Sequence, residues 1–300
     1  METTQRRGGD VGGFPDGGIA PIRGETFRRF QDLVRRESGI CLSDAKRTLL
    51  VGRLSRRLRE LALTSFDQYL QQVERDEEER VWMLDSISTN ETQFFREPRQ
   101  FEFLSAHVFP RWAADGIDEK RPRRVTAWSA GCSSGEEPYS LAMLLLSGFP
   151  KGWDLGILAT DLSTRVLERG RAAVWPLERS RQIPPRFLKA FMLRGTGPQD
   201  GKMKAGPEIR ALIRFERLNL NDEIPRIGGP FDLILCRNVL IYFDAETRRR
   251  ILRELLGRLD PGGFLLVGHA ESLSAFGDGV RQVAPSIYAA QAVPGRTGGP

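Results

Sequence analysis

Cysteine is scarce. Three residues, Cys41, Cys132 and Cys236, are spread over a chain of 300. An odd, scattered set with no C-x-x-C pair argues against a disulfide framework and against a thiolate zinc site. Histidine is scarcer still, with only His107 and His269, so no imidazole-based metal centre is expected. No apolar run approaches the length of a bilayer span, and the first residues lack the apolar core of a secretion signal. There is no internal repeat, no basic stretch interleaved with aromatics, and no Asn/Asp-Pro-Pro-aromatic motif of the kind that holds a flipped base. A nucleic-acid partner is disfavoured on that ground, although a net charge of +6 permits an acidic partner. The absences together describe a reduced, cytoplasmic chain with no metal and no direct membrane insertion.

What is present suffices for a real core. Hydrophobic residues make up 40% of the chain and aromatics 9%, and the length suits one or two domains. Residues 1–20, rich in glycine and poor in hydrophobic pattern, are expected to be a disordered tail, and residues 293–300 a flexible C-terminus. From Thr26 the apolar spacing turns helical: Phe27, Phe30, Leu33 and Val34 share one face. Gly39 is placed to end that helix. A second helix is expected after the Ser43–Asp44 cap pair, with Leu50, Leu54, Leu58 and Leu61 as its buried stripe. Lys46, Arg53, Arg56 and Arg57 lie on an adjoining face, which reads either as a solvated flank or as a docking surface for an acidic partner helix. Residues 65–88 read as two further short helices. Residues 21–100 are therefore expected to form a small all-helical domain and linker.

From Arg123 the grammar changes to strand–loop–helix. "RVTAW", "DLGILATDLS", "FDLILC" and "GFLLVGHAES" read as strands, separated by "EPYSLAMLLLSG", "TRVLERGRA" and a long amphipathic helix, "AETRRRILRELLGRLDPGG", closed by Pro-Gly-Gly. Alternation of this kind implies a parallel, doubly wound α/β sheet over residues 101–292. The interval 176–218 breaks the rhythm, and a small antiparallel hairpin insertion is expected at about 184–215.

Ligands of such sheets bind beyond the carboxyl ends of the strands. A polar set falls there: the Gly131–Gly135 loop with Glu136 and Glu137, then Asp161, Asn219, Arg237 and Asn238. Asp161 suits the two hydroxyls of a ribose, or else a helix N-cap. The loop reads G-C-S-S-G-E rather than G-x-G-x-x-G, and its glutamates would repel a pyrophosphate. They would accept a cationic nucleoside, and S-adenosylmethionine is such a ligand. Cys132 and Cys236 sit beside strand ends in apolar settings and read as core residues.

In "TQFFRE", "SAGCSSGEEPYS", "ATDLS", "FDLILCRNVLIYF" and "GGFLLVGHAES", in that order, the chain resembles the chemotaxis receptor methyltransferases of the CheR family over roughly residues 25–290. The resemblance implies an N-terminal helical domain, a Rossmann-like methyltransferase domain and an inserted small antiparallel β-subdomain. It implies methyl transfer from S-adenosylmethionine, leaving S-adenosylhomocysteine, to glutamate side chains on the cytoplasmic helical bundle of methyl-accepting chemoreceptors. Carried over by position, Asn90, Thr92, Arg96, Glu136, Asp161, Asn219, Leu220, Arg237 and Asn238 would contact the cofactor. Arg96 and Tyr242 would lie near the transferring methyl, and the basic helix face would dock the receptor. "GHAES" departs from the family pattern with alanine at position 270. The rival readings are a nucleic-acid methyltransferase and a catalytically silent cofactor-binding signalling protein.

Overall fold

The computed structural model describes residues 18–225, 227–271, 273 and 280–290. The tail expected over residues 1–20 lies, as far as residue 17, outside the described residues, as does the expected C-terminal segment 293–300. The chain divides into two compact units. One comprises the described residues up to Leu33 together with Ser43–Ile87; the other comprises Val34–Leu42 and the described residues from Ser88 onward.

The first unit is helical. α1 (Gly24–Ser38) buries Phe27, Phe30 and Leu33 within it. α2 (Arg47–Glu60) follows a 3-10 turn at Asp44–Lys46. Ser43 has the extended backbone of a cap, but its side chain makes no cap bond, so the α-helix proper begins only at Arg47. Leu50, Leu54 and Leu58 are fully enclosed, each worth on the order of 1.5–3 kcal/mol of burial. Leu61 lies past the helix end and is only half-buried. α3 (Phe66–Arg75) is capped by Ser65, whose hydroxyl accepts from the Gln68 N–H at 3.3 Å. α4 (Glu77–Ile87) supplies a buried carboxylate, Glu79, to this unit. Glu79 accepts from Arg57 Nη2 at 2.5 Å and from the Tyr69 hydroxyl at 2.8 Å. Burial and this neighbouring carboxylate hold the Tyr69 hydroxyl above its ordinary pKa.

The second unit is α/β. α5 (Pro98–Phe103), with proline at its first position, runs through a π-helical stretch at Leu104–Val108 into α6 (Phe109–Ile117). Then come β1 (Arg124–Ala130), α7 (Glu136–Gly148), β2 (Asp154–Asp161) and α8 (Thr164–Ala172). A smaller region holds β3 (Val174–Pro176), α9 (Pro185–Phe191), β4 (Met192–Arg194), β5 (Lys202–Ala205) and α10 (Pro207–Arg210). The main sheet resumes with β6 (Ile213–Arg217), β7 (Phe231–Cys236), α11 (Ala245–Gly257), β8 (Leu259–Val267), β9 (Val280–Ala284) and β10 (Ile287–Ala290).

The strand order is β6-β2-β1-β7-β8-β10-β9. The first five strands run parallel, and β10 and β9 add antiparallel. Every residue of β7 is buried, as expected of a central strand covered on both faces. Its alternate residues enter different cores: Leu233 and Leu235 join Val125 and Ala127, whereas Ile234 and Cys236 join Trp128 and Ala130. The order reverses between β1 and β7, which puts a crevice at the carboxyl ends of those two strands.

Three elements differ from the sequence reading. The small sheet has three strands, ordered β3-β5-β4, so it opens at Val174, ahead of residue 184. β6 belongs to the main sheet, because its apolar Ile213 and Phe215 pack against the core around β2. Pro261-Gly262-Gly263 does not close α11 but lies within β8. The register shifts there, Gly262 takes φ +86°, and a Cβ at Gly263 would sit 2.8 Å from the Asp232 carbonyl oxygen. Glycine thus lets the irregular strand start press against β7.

One local device is testable at once. Ser163 caps α8, its hydroxyl accepting from the Val166 N–H, and it is fully buried. Ser163→Ala is expected to lower stability by about 1 kcal/mol, read as a drop in the urea midpoint at unchanged slope.

Candidate functional site

Four strand ends converge on one edge of the sheet. β1 delivers the Gly131–Gly135 loop, β2 delivers Asp161, β6 leads to Asn219 and Leu220, and β7 leads to Arg237 and Asn238. The loops after β1 and β7 touch: a Cβ at Gly131, where φ is +84°, would lie 2.4 Å from Val239 Cγ2. Only glycine fits that approach.

Asp161 braces the first loop. Its Oδ2 accepts from the Ser133 N–H at 2.8 Å and its Oδ1 from the Ser163 N–H at 3.0 Å. A carboxylate has lone pairs for about four hydrogen bonds, and two of them hold the start of the glycine loop and the start of α8. The cap of α8 is Ser163, which resolves the competition between the two residues for that role. Ser133 also donates its hydroxyl to the Asn90 carbonyl at 2.9 Å, which fixes the segment 90–97 over the loop. The same segment is tied by Arg179 to the Thr92 carbonyl at 3.0 Å and by the Phe95 N–H to Ser140 Oγ at 2.9 Å.

The two glutamates of the loop have separate surroundings. Glu136 is buried and accepts from Ser134 Oγ at 2.7 Å. Glu137 faces inward to Arg237 Nη1 at 3.1 Å and Ser129 Oγ at 2.7 Å. Burial raises its carboxyl pKa, against the pull of Arg237 and Ser129. The charge of Glu137 is therefore spent inside the protein. Arg237 is likewise consumed. Its guanidinium is 2% exposed, lies 3.3 Å from Glu97 Oε2, donates to the Arg96 carbonyl, and sits 5.4 Å from the Phe101 ring. Its side chain clamps segment 90–97 onto β1 and α7 rather than facing a crevice.

Arg96 is half-buried, and its Nη1 donates to the Glu91 carbonyl at 3.1 Å, not to Glu97 or Glu136. Asn219 turns its amide to the Glu37 carbonyl at 2.7 Å and to Asp222 at 3.0 Å, and Leu220 is buried in the apolar cluster of Trp128. Contact of these two with a ligand would thus fall to the backbone. Tyr242 closes a 3-10 turn at Leu240–Tyr242, and its carbonyl accepts from the Cys41 N–H at 2.8 Å. Asn238 sits in the left-handed region at φ +60°. Among the described residues its buried side-chain Oδ1 has no hydrogen-bond partner. Phe95, Glu97 and Ser133 share that unusual backbone conformation, at φ +52°, +57° and +49°. Non-glycine residues held this way cluster at functional sites.

Sequence reasoning passed over Glu271. It is 5% exposed, and its carboxylate gathers the N–H groups of Asn238, Gly268 and Ile241. The signal was there: an acidic residue just past the end of the last parallel strand, the same rule that selected Asp161. Cys132 and Cys236 are fully enclosed, and burial pushes both thiols up, which makes them core residues rather than nucleophiles. The basic face of α2 is mixed. Arg57 is held by Glu79 and Glu60, Arg53 donates to the Ile87 carbonyl at 2.6 Å, Lys46 is half-buried, and Arg56 is 82% exposed while pairing with Glu60. No helix among the described residues is long and apolar enough to cross a membrane, and among the described residues no cluster suits a metal ion.

The donor set fits S-adenosylmethionine. An orphaned buried amide oxygen, a buried glutamate and a strand-end aspartate are acceptors, as ammonium, sulfonium and ribose groups require. Residues 90–288 match the family described as "CheR methyltransferase, SAM binding domain", and residues 25–88 match "CheR methyltransferase, all-alpha domain". The chain is 39% identical over 253 residues to the "Chemotaxis protein methyltransferase" of Escherichia coli (strain K12), covering 83% of this chain and 84% of that protein. It is 39% identical over 266 residues to "Chemotaxis protein methyltransferase 2" of Pseudomonas aeruginosa, covering 88% and 92%. The "Chemotaxis protein methyltransferase" of Borreliella burgdorferi is 34% identical over 272 residues, with 89% of this chain and 94% of that protein covered. Solved structures overlay loosely; an S-adenosylmethionine-bound amino pentose methyltransferase from Micromonospora echinaspora covers 60% of this chain and 58% of its own at TM-score 0.29 and 16% identity.

Proposed function

The chain belongs to the CheR methyltransferase family, and from that premise we propose that this S-adenosylmethionine-dependent methyltransferase esterifies glutamate side chains on the cytoplasmic helices of chemoreceptors. The observation that carries the reading is the convergence of Asp161, Glu136 and the unpartnered Asn238 Oδ1 at the carboxyl edge of the sheet. The names of the relatives, chemotaxis protein methyltransferases, supply the pathway.

The cofactor, when bound, supplies an electrophilic methyl group on a sulfonium. The acceptor carboxylate is already ionised at neutral pH, so the chain needs no general base. That agrees with the enclosure of both cysteines near the site. What remains for the protein is alignment of oxygen, carbon and sulfur in line. Asp161 binds the ribose hydroxyls. Glu136 and Asn238 receive the positive end of the cofactor. Asn90, Thr92 and the Asn219–Leu220 backbone form the pocket wall, and Arg237 holds it from behind. Arg96 orients the incoming carboxylate through its two-pronged guanidinium, with Tyr242 beside it. On α2, exposed Arg56, with Lys46 and Arg53, presents cations to an acidic receptor helix, while Arg57, fixed by Glu79, stiffens that face.

Incubation with methyl-labelled cofactor and a receptor cytoplasmic fragment tests the substrate. Label that mild alkali releases as methanol is expected, since only an ester hydrolyses so readily. Base-stable label, or label on RNA instead of the fragment, would assign the chain to a nitrogen or nucleic-acid substrate. No transfer despite measured cofactor binding would favour the silent signalling reading.

A further inference from the structure

Beyond the pocket itself, Glu271 stands out as a buried carboxylate that the proposed chemistry does not use. Its Oε2 accepts from the Asn238 N–H at 2.8 Å and the Gly268 N–H at 2.7 Å, and its Oε1 from the Ile241 N–H at 3.1 Å. Among the described residues no lysine or arginine pairs with it; its charge rests on backbone N–H groups alone. Such bonds to an ionised acceptor are about twice as strong as neutral ones. They join the loop after β7 to the loop after β8, at the edge where the proposed site lies.

The bond to Asn238 has a local consequence. Asn238 holds φ +60°, a left-handed conformation that asparagine adopts more readily than other residues with a Cβ, and its neighbours hold it there. Glu271 imposes it from the N–H side. Gly268 imposes it from below: a Cβ there would come within 2.6 Å of Asn238 Nδ2, 2.8 Å of Asn238 N and 2.9 Å of Glu271 Oε2. The result is an Asn238 carboxamide packed against glycine, with its Oδ1 buried and, among the described residues, unpartnered. A buried acceptor without a donor is unfavourable in the protein alone. It is well suited to receive a ligand N–H.

We infer that Glu271 is a positioning residue for cofactor binding, fixing the Asn238 backbone so that the Asn238 amide oxygen is held ready for an N–H group of the cofactor. The inference rests on the pocket assignment above. Glu271 touches no ligand itself. It acts through Asn238, and through the Ile241 N–H it also sets the turn that carries Tyr242.

A double-mutant cycle read by calorimetry tests it, with S-adenosylhomocysteine as the titrant. Glu271→Gln keeps the shape but replaces one acceptor oxygen with a donor NH2. Glu271→Gln and Asn238→Ala should each raise Kd about tenfold, the loss of one well-formed hydrogen bond. The double variant should bind no more weakly than the weaker single variant, because both remove the same contact. A structural role alone would lower the melting temperature but leave the two effects additive. Additive losses, or unchanged affinity in Glu271→Gln while Asn238→Ala is weakened, overturn the inference and leave the pocket standing. Unchanged affinity in Asn238→Ala overturns the pocket assignment instead. If Glu271→Gln does not fold, Glu271→Asp, which keeps the charge and shortens its reach by one methylene, enters the same cycle with the same criteria.

Discussion

Arg237→Ala is expected to cost about 3–5 kcal/mol of folding stability, the size of effect that follows when one partner of a buried ion pair is removed. The arginine is 2% exposed, and its two carboxylate partners, Glu97 and Glu137, are 10% and 12% exposed. Truncation leaves both buried acids without their cation and frees the Arg96 carbonyl from its donor. The loss should depend on pH in a definite direction. Burial already raises the Glu137 carboxyl pKa, and Arg237 is the largest influence opposing that rise. Without Arg237 the folded-state value climbs further above the unfolded value of about 4.3. A carboxyl raised in the folded state binds more protons there than in the unfolded chain. Stability then falls as pH rises from the unfolded value through the folded one. The variant's deficit should be largest above that window and shrink as pH drops toward about 4.3. Urea titrations of both proteins from neutral to acid pH measure it. A deficit that is independent of pH, or that grows on acidification, would show that the two glutamates do not depend on Arg237.

Asp161→Ala should weaken binding of S-adenosylhomocysteine about 100-fold. On the proposed pocket, charge-assisted hydrogen bonding to the ribose hydroxyls is lost; about 100-fold corresponds to about 2.8 kcal/mol, within the range for one to two such bonds. The side chain also restrains the Ser133 N–H at 2.8 Å, so part of the loss would come from a loosened glycine loop. Asp161→Asn separates the two effects. Its remaining carbonyl oxygen can accept from Ser133, which preserves the glycine loop, but the charge is gone and the amide NH2 no longer accepts from the Ser163 N–H. Its affinity should fall between those of the wild type and the alanine variant. If calorimetry finds wild-type affinity in both variants, the ribose lies elsewhere and the crevice between β1 and β7 is not the pocket.

Much of this site was legible because it obeys a positional rule. Asp161, Asn219, Arg237 and Asn238 were found as polar residues just past apolar runs, and strands of a parallel sheet end on one edge whatever their order. The same rule would have found Glu271 had it been applied to "GHAES". What the rule could not give was direction. Glu136 and Glu137 are neighbours in sequence, yet a helix turns successive residues about 100° apart, so one meets Ser134 and the other Arg237. Arg237 follows a strand as Asn238 does, but its long side chain folds back to buried carboxylates. In the same way Pro261-Gly262-Gly263 reads as a helix stop by composition, and only the closeness of the Asp232 carbonyl makes it a strand irregularity.

The sequence by itself determined the alternation of strands and helices, the helical N-terminal region, and the polar residues at the strand ends. These are properties of spacing along the chain, and periodicity records them directly. Only the tertiary structure decided which carboxylates are spent on Arg237, which amide oxygen is left without a donor, and that Glu271 gathers backbone N–H groups from two different loops. Those outcomes depend on pairs far apart in sequence, Asn238 with Glu271 or Arg237 with Glu97 and Glu137, whose meeting is set by strand order and packing and leaves no local trace.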